Sequence, residues 1–212
     1  MQIGTTVTGQ SPSGQNSFSG SVTAWSTSIS WQLIETLIDD EFDLTTCQEM
    51  LVDHAFTLPI ELLWPGQQRH VRTVPICINT VQFPLPHAKR VYAMGKAVGE
   101  AIAAWDSNKM VAVVGSGGLS HQLDGERAGF INKAFDLQFM ESLLTNPEWA
   151  TQFSIHELVE KTGTQGVELL MCLAMRAALT AGTGSGVRKV HSNYHIPISN
   201  TATGLLALEK FD

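Results

Sequence analysis

The chain has 212 residues, 43% hydrophobic and 16% charged, enough ordinary globular material for a domain with a real core. A formal charge of -7 excludes the clustered Lys and Arg surface that nucleic acid requires, and no apolar run approaches the ~18 residues of a membrane span. Cys47, Cys77 and Cys172 are odd in number and widely spaced, so they form neither a disulfide framework nor a CxxC metal pair; a reducing cytoplasm is the expected compartment.

Residues 1–24 are rich in Gly, Ser, Thr and Gln, without the basic and apolar regions of a secretory signal. They offer too little apolar surface to offset ordering entropy and read as a disordered or loosely packed leader with no strand. The folded domain is expected over 25–212. "SWQLIETLIDDEFDL" (30–44) has helical spacing, with Leu33, Ile34, Leu37 and Ile38 on one face. "VRTVPICINTV" (71–81) reads as a strand that Pro75 confines to an edge. "GKAVGEAIAAW" (95–105) is a small-residue helix suited to close packing, and "KMVAVVGSGG" (109–118) reads as a buried strand. Helices are expected over 136–149, 154–161 and 163–179, the last opened by a capping box of Thr162 and Gln165. "GTGSGV" (182–187) reads as a loop, and 194–208 as a strand followed by a helix. The fold class is α/β: a layered mixed sheet flanked by helices.

Two places could carry chemistry. In "GSGGLSHQ" (115–122) a strand ends in glycines, which lets a ligand approach the backbone, and then delivers His121. Ligands of open α/β sheets gather at the carboxyl ends of strands, so His121 is a candidate. The segment lacks the GxxxxGK[ST] pattern, which argues against a phosphate loop, and no GxSxG elbow supports a hydrolase. Glu168 shares a helical stripe with Met171, Cys172, Met175 and Leu179. A carboxylate there is costly unless a hydrogen bond, a cation or a metal compensates it. The alternative is a partly solvated place in the first helical turn, favoured by the macrodipole, and spacing leaves both open. His54 in "LVDHAFTLPIEL" and His195 in "NYHIPISNT" each suit a hydrogen-bonded structural role when taken alone.

Together, "EFDLTTCQEMLVDHAFTLPIEL", "GSGGLSHQLDGERAGFINKAFD", "TQGVELLMCLAMRAAL" and "YHIPISNTATG" resemble the class III extradiol ring-cleavage dioxygenases, of the protocatechuate 4,5-dioxygenase β-subunit type. The resemblance runs in order from about residue 28 to the C-terminus. It implies an α/β dioxygenase fold and an Fe(II) cofactor held by two histidines and a glutamate. It further implies cleavage of a protocatechuate- or gallate-like aromatic acid by O2 beside its hydroxyls. Residue by residue, Glu168 matches the glutamate ligand, His121 a second-sphere acid/base, and His54 another histidine near the diol. Ser199 matches a substrate-contacting serine, with Asn200 and Thr201 bordering the same end of the pocket. On this view the glycine loop is small so that substrate, oxygen and imidazole can crowd together. The resemblance also implies a small helical α subunit as a possible partner and an oligomeric state. It places both iron-binding histidines in an N-terminal portion that nothing here matches. The chain therefore reads as an N-terminally truncated or divergent member carrying one ligand of three. The alternatives are a non-catalytic subunit and a metal-free binding protein on the same scaffold.

Overall fold

The computed structural model describes residues 2–4, 7–9, 27–47, 50–65, 71–183 and 186–211. They form mixed α/β structure that divides into two units, Met1–Ile78 and Asn79–Asp212, a boundary that the composition does not mark. No helix among the described residues is long and apolar enough to cross a membrane.

The first unit contains β1 (Gln2–Gly4), β2 (Val7–Gly9), α1 (Thr27–Asp39), β3 (Thr45–Cys47), β4 (Met50–Val52), α2 (His54–Leu63) and β5 (Ile76–Cys77). β1 is the centre of a three-stranded sheet, parallel to β3 and antiparallel to β5, and β2 pairs in parallel with β4. This corrects the expectation that 1–24 holds no strand. Strands of three residues can form on backbone hydrogen bonds, and β-branched Ile3, Val7 and Thr8 favour extended backbone. The rest of the expected leader lies outside the described residues. β5 is an edge strand, where Pro75 costs no ladder bond. α1 buries Ile29, Leu33, Ile34 and Leu37, whereas Ile38, expected on the same face, is 55% exposed.

The second unit contains α3 (Ala88–Ala103), α4 (Lys133–Thr145), α5 (Ile155–Thr162), α6 (Leu170–Thr180), β6 (Gly186–His195) and β7 (Thr203–Phe211), with a 3-10 turn, Gly166–Leu169, leading into α6. Phe139, Leu143, Leu158, Leu169, Leu170 and Leu173 are among its buried residues. The small residues of α3 let it lie almost backbone to backbone on α6. A side chain at Gly95 would collide with the Ala174 backbone and the Ala177 methyl, and one at Gly99 with Ala178 and Ala181.

Three expectations fail here. Residues 109–118 form no strand, and Met110 and Val114 are 99% and 50% exposed. An apolar run becomes a strand only where a neighbour supplies the ladder, and among the described residues none flanks this one. Its glycine end lies instead on the start of α6. The capping box sits on α5, not before α6: Ser154 Oγ accepts from Glu157 N (3.2 Å) and Glu157 Oε2 from Ser154 N (2.8 Å). Those bonds to Ser154 hold the Glu157 carboxyl below its ordinary range. Thr162 ends α5 and turns its hydroxyl back to Leu158 O (2.8 Å). Finally, 203–211 is a strand, not a helix, because β7 pairs antiparallel with β6 along its length; a short apolar run does not distinguish the two. Gly186 already belongs to β6, so the loop expected over 182–187 ends sooner, and 184–185 lie outside the described residues.

The α3–α6 approach makes a prediction of definite sign. In a helix interior Ala is favoured over Gly by about 1 kcal/mol, but at Gly95 the added methyl meets backbone, and overpacking of that kind costs ~1–3 kcal/mol. Gly95→Ala is expected to lower stability in denaturant unfolding of the chain; a variant more stable than the parent would contradict the packing.

Candidate active site

His121 is buried, 5% exposed, in the turn between 118 and α4. Its main chain is held on both sides: its N–H donates to Thr162 O (2.8 Å), and its carbonyl accepts from Gly166 N (3.3 Å). The ring is oriented by one bond, between Nδ1 and Leu119 O at 2.8 Å. A carbonyl can only accept, so in the neutral ring Nδ1 carries the proton and Nε2 the lone pair. Nε2 has no hydrogen-bond partner among the described residues.

The glycines before His121 let protein approach closely. A Cβ on Gly115 would lie 2.7 Å from Met171 O, one on Gly117 2.6 Å from Glu168 O, and one on Gly118 2.5 Å from His121 Cε1. The protein itself fills the space that a side chain would take. The segment lies against the start of α6 and against the imidazole, which brings two of the expected site residues together. Gly118 N donates to Glu168 Oε2 (2.9 Å), while the Gly118 Cα is covered by the His121 ring.

Glu168 therefore has a hydrogen bond, one of the forms of compensation its position calls for, and it is partly exposed. It stands in the 3-10 turn, and the stripe continuing from it (Met171, Cys172, Met175 and Leu179) is only half-buried. The fully apolar side of α6 is the other one, with Leu173, Ala174, Ala177 and Ala178. Burial pushes the Cys172 thiol up to about 11, which keeps it protonated at neutral pH and a poor nucleophile.

Ser199, Asn200 and Thr201 lie in the turn between β6 and β7. Asn200 takes a left-handed conformation (φ 55°), which asparagine tolerates, and its N–H donates to Pro197 O at 3.1 Å. Ser199 and Asn200 are exposed. The turn is tied to the residues just before His121: Leu119 N donates to Ala202 O (3.0 Å) and Ala202 N to Ser120 O (3.2 Å). His195, at the end of β6, is exposed and its carbonyl accepts from Thr203 Oγ1 (3.1 Å). His54 belongs to the first unit, where it opens α2 and is exposed, behind the N-cap Asp53 that accepts from Ala55 N at 3.0 Å.

Sequence reasoning passes over one residue of this neighbourhood. Asp136, on α4, is fully buried and takes hydrogen bonds from Ser120 N (2.9 Å), Ser120 Oγ (2.6 Å) and Tyr194 OH (2.9 Å). Burial, with the bond to Asp136 and its negative charge, raises the Tyr194 phenol above its ordinary range and keeps it a donor. The signal available in the sequence is weak, since Asp136 looks like an ordinary first-turn acid of a helix.

Among the described residues no group of three or more His, Cys, Asp or Glu side chains stands close enough to hold a metal ion. Glu168 has no second and third protein donor beside it there, so these residues alone do not make a three-ligand metal centre.

Comparison with known proteins bears on the same segments. The family model for the catalytic LigB subunit of aromatic ring-opening dioxygenase matches residues 23–204. A gallate dioxygenase of Pseudomonas putida is 35% identical over 179 residues, 84% of this chain and 51% of that protein. A 2,3-dihydroxyphenylpropionate/2,3-dihydroxicinnamic acid 1,2-dioxygenase of Xanthobacter autotrophicus is 26% identical over 217 residues, 82% of this chain and 68% of that protein. Its namesake in Photorhabdus laumondii is 43% identical over 89 residues, 42% of this chain and 27% of that protein. The chain thus spans about half the length of the gallate dioxygenase it matches. With a match that takes in His121, Glu168 and the β6–β7 turn, the chain belongs to the LigB family of aromatic ring-opening dioxygenases.

Proposed function

We propose that this chain provides the substrate-side, acid/base part of an extradiol site, in which O2 opens the ring of a protocatechuate- or gallate-like catechol acid. The observation that carries the reading is the contact between His121 Nδ1 and the Leu119 carbonyl, which selects the Nδ1–H tautomer of the neutral ring. With Nδ1 bonded to Leu119 O at 2.8 Å, the neutral ring offers a lone pair at Nε2, as a general base must. Nε2 would take the proton of a substrate hydroxyl, the O–H bond breaking as an N–H bond forms. The imidazolium so made keeps its bond to the Leu119 carbonyl and later returns the proton to an oxygen of the cleaved ring. Ser199, Asn200 and Thr201 are the proposed contacts for the substrate's polar groups, since their turn is laced to Leu119 and Ser120. His54 is proposed as a second histidine near the diol, on the family resemblance.

Fe(II) is the proposed metal and Glu168 its proposed ligand from this chain. Because Glu168 belongs to no group of three or more candidate ligands among the described residues, the chemistry assigned to them is binding and proton transfer alone. The same observation favours a second reading, a subunit that binds the aromatic acid without opening it.

Oxygen uptake and a binding titration with protocatechuate and gallate, in the presence of Fe(II), test both. The proposal expects saturable binding and ring opening, with His121→Gln retaining the binding and lowering turnover ~10²–10⁴-fold, the usual weight of a general acid/base. Binding without oxygen uptake selects the second reading. No binding, or turnover untouched by His121→Gln, overturns the first.

A further inference from the structure

Asp136 is buried, carries no partner cation among its bonds, and has no part in the chemistry above. Ionised carboxylates are costly to bury unless hydrogen bonds replace their water. Here three donors do so, and Asp136 also lies in the first turn of α4, where the helix macrodipole favours a negative charge. Two of those donors belong to Ser120, the residue before His121. The Ser120 hydroxyl, while donating to Asp136, also accepts from Asn132 N at 2.7 Å. Asn132 in turn caps α4 through Phe135 N (3.2 Å) and donates to Lys161 O at the end of α5 (3.0 Å).

The arrangement has a direct consequence for His121. The N–H that Ser120 gives to Asp136 and the carbonyl that Leu119 gives to His121 Nδ1 are the two ends of one peptide group. In a trans peptide they point in opposite directions and are joined by resonance across the C–N bond. A negative charge drawn onto the N–H polarises the group and strengthens its carbonyl as an acceptor, as in any chain of hydrogen bonds in a low-dielectric interior. The order is Asp136 carboxylate, Ser120 N–H, Leu119 C=O, His121 Nδ1–H.

We propose that Asp136 is a positioning residue for His121, acting through the Leu119–Ser120 peptide to hold the imidazole in its orientation and in the Nδ1–H tautomer. The inference rests on the reading of His121 as the acid/base group for its functional meaning. Its structural content is independent of that reading. A role for Asp136 in packing alone would leave the tautomer indifferent to its charge.

The test is the side-chain nitrogen spectrum of His121 in the full chain, assigned by comparison with His121→Gln. The parent is expected to show the Nδ1–H form alone. Asp136→Asn keeps the size of the side chain but removes the charge, and is expected to bring in the Nε2–H form. Ser120→Ala and Tyr194→Phe each delete one other bond of Asp136, leave the peptide relay in place, and are expected to keep the parental form. If Asp136→Asn folds and His121 stays wholly Nδ1–H, the proposal is overturned. It is equally overturned if the two control variants change the tautomer as much as Asp136→Asn does. Should Asp136→Asn not fold, the parent decides. The Ser120 amide proton, between the Asp136 and Leu119 ends of the relay, must shift with protonation of His121 and share its midpoint. An amide that ignores His121 refutes the relay. Adding protocatechuate to the parent separates the two ideas. Unmoved His121 nitrogens count against the acid/base reading and leave the tautomer comparison standing.

Discussion

One hydrogen bond sets what this site can do: the 2.8 Å contact between His121 Nδ1 and the carbonyl of Leu119. It spends one ring nitrogen on the protein and leaves the other without a hydrogen-bond partner among the described residues. The surrounding structure keeps that carbonyl in place. Leu119 N and Ser120 O are bonded to Ala202, which is fully buried, and His121 N to the last residue of α5. The β6–β7 turn and the end of α5 therefore both fasten on these three consecutive residues, and a shift in either would reach the imidazole.

The glycines connect this arrangement to Glu168. Gly117 and Gly118 let the chain descend onto the 3-10 turn before α6 until Gly118 N reaches the carboxylate. A side chain at Gly117 would meet the Glu168 backbone, and one at Gly118 the His121 ring. Close approach of backbone is thus the reason for the small residues, and it is the same device that joins α3 to α6 through Gly95 and Gly99. In both places missing side chains make room for protein. The neighbouring His121 and Glu168 follow from that packing.

His121 and Glu168 were legible because each breaks a pattern, a histidine behind a glycine run and a carboxylate on an apolar stripe. α1 was legible from its regular spacing, and α3 only in part, from its small residues, since it begins at Ala88 and not at Gly95. What the sequence concealed depends on partners distant along the chain. Residues 109–118 have a strand's composition but no described neighbour to pair with, and 203–211 became a strand because β6 lies beside it. Asp136 is hidden for the same reason: nothing near it in the sequence announces Ser120, 16 residues earlier, or Tyr194, 58 later. Its burial and its three donors exist only once α4, β6 and the His121 turn have met.

The central claim is that Nε2 of His121 is the group that meets the substrate's hydroxyl. A crystal structure of the chain with bound protocatechuate tests it most directly. The account predicts a ring hydroxyl oxygen within about 2.6–3.2 Å of Nε2, the reach of a general base, with Nδ1 still on Leu119 O. A ligand bound away from His121, or an imidazole turned so that Nδ1 leaves Leu119, would contradict it.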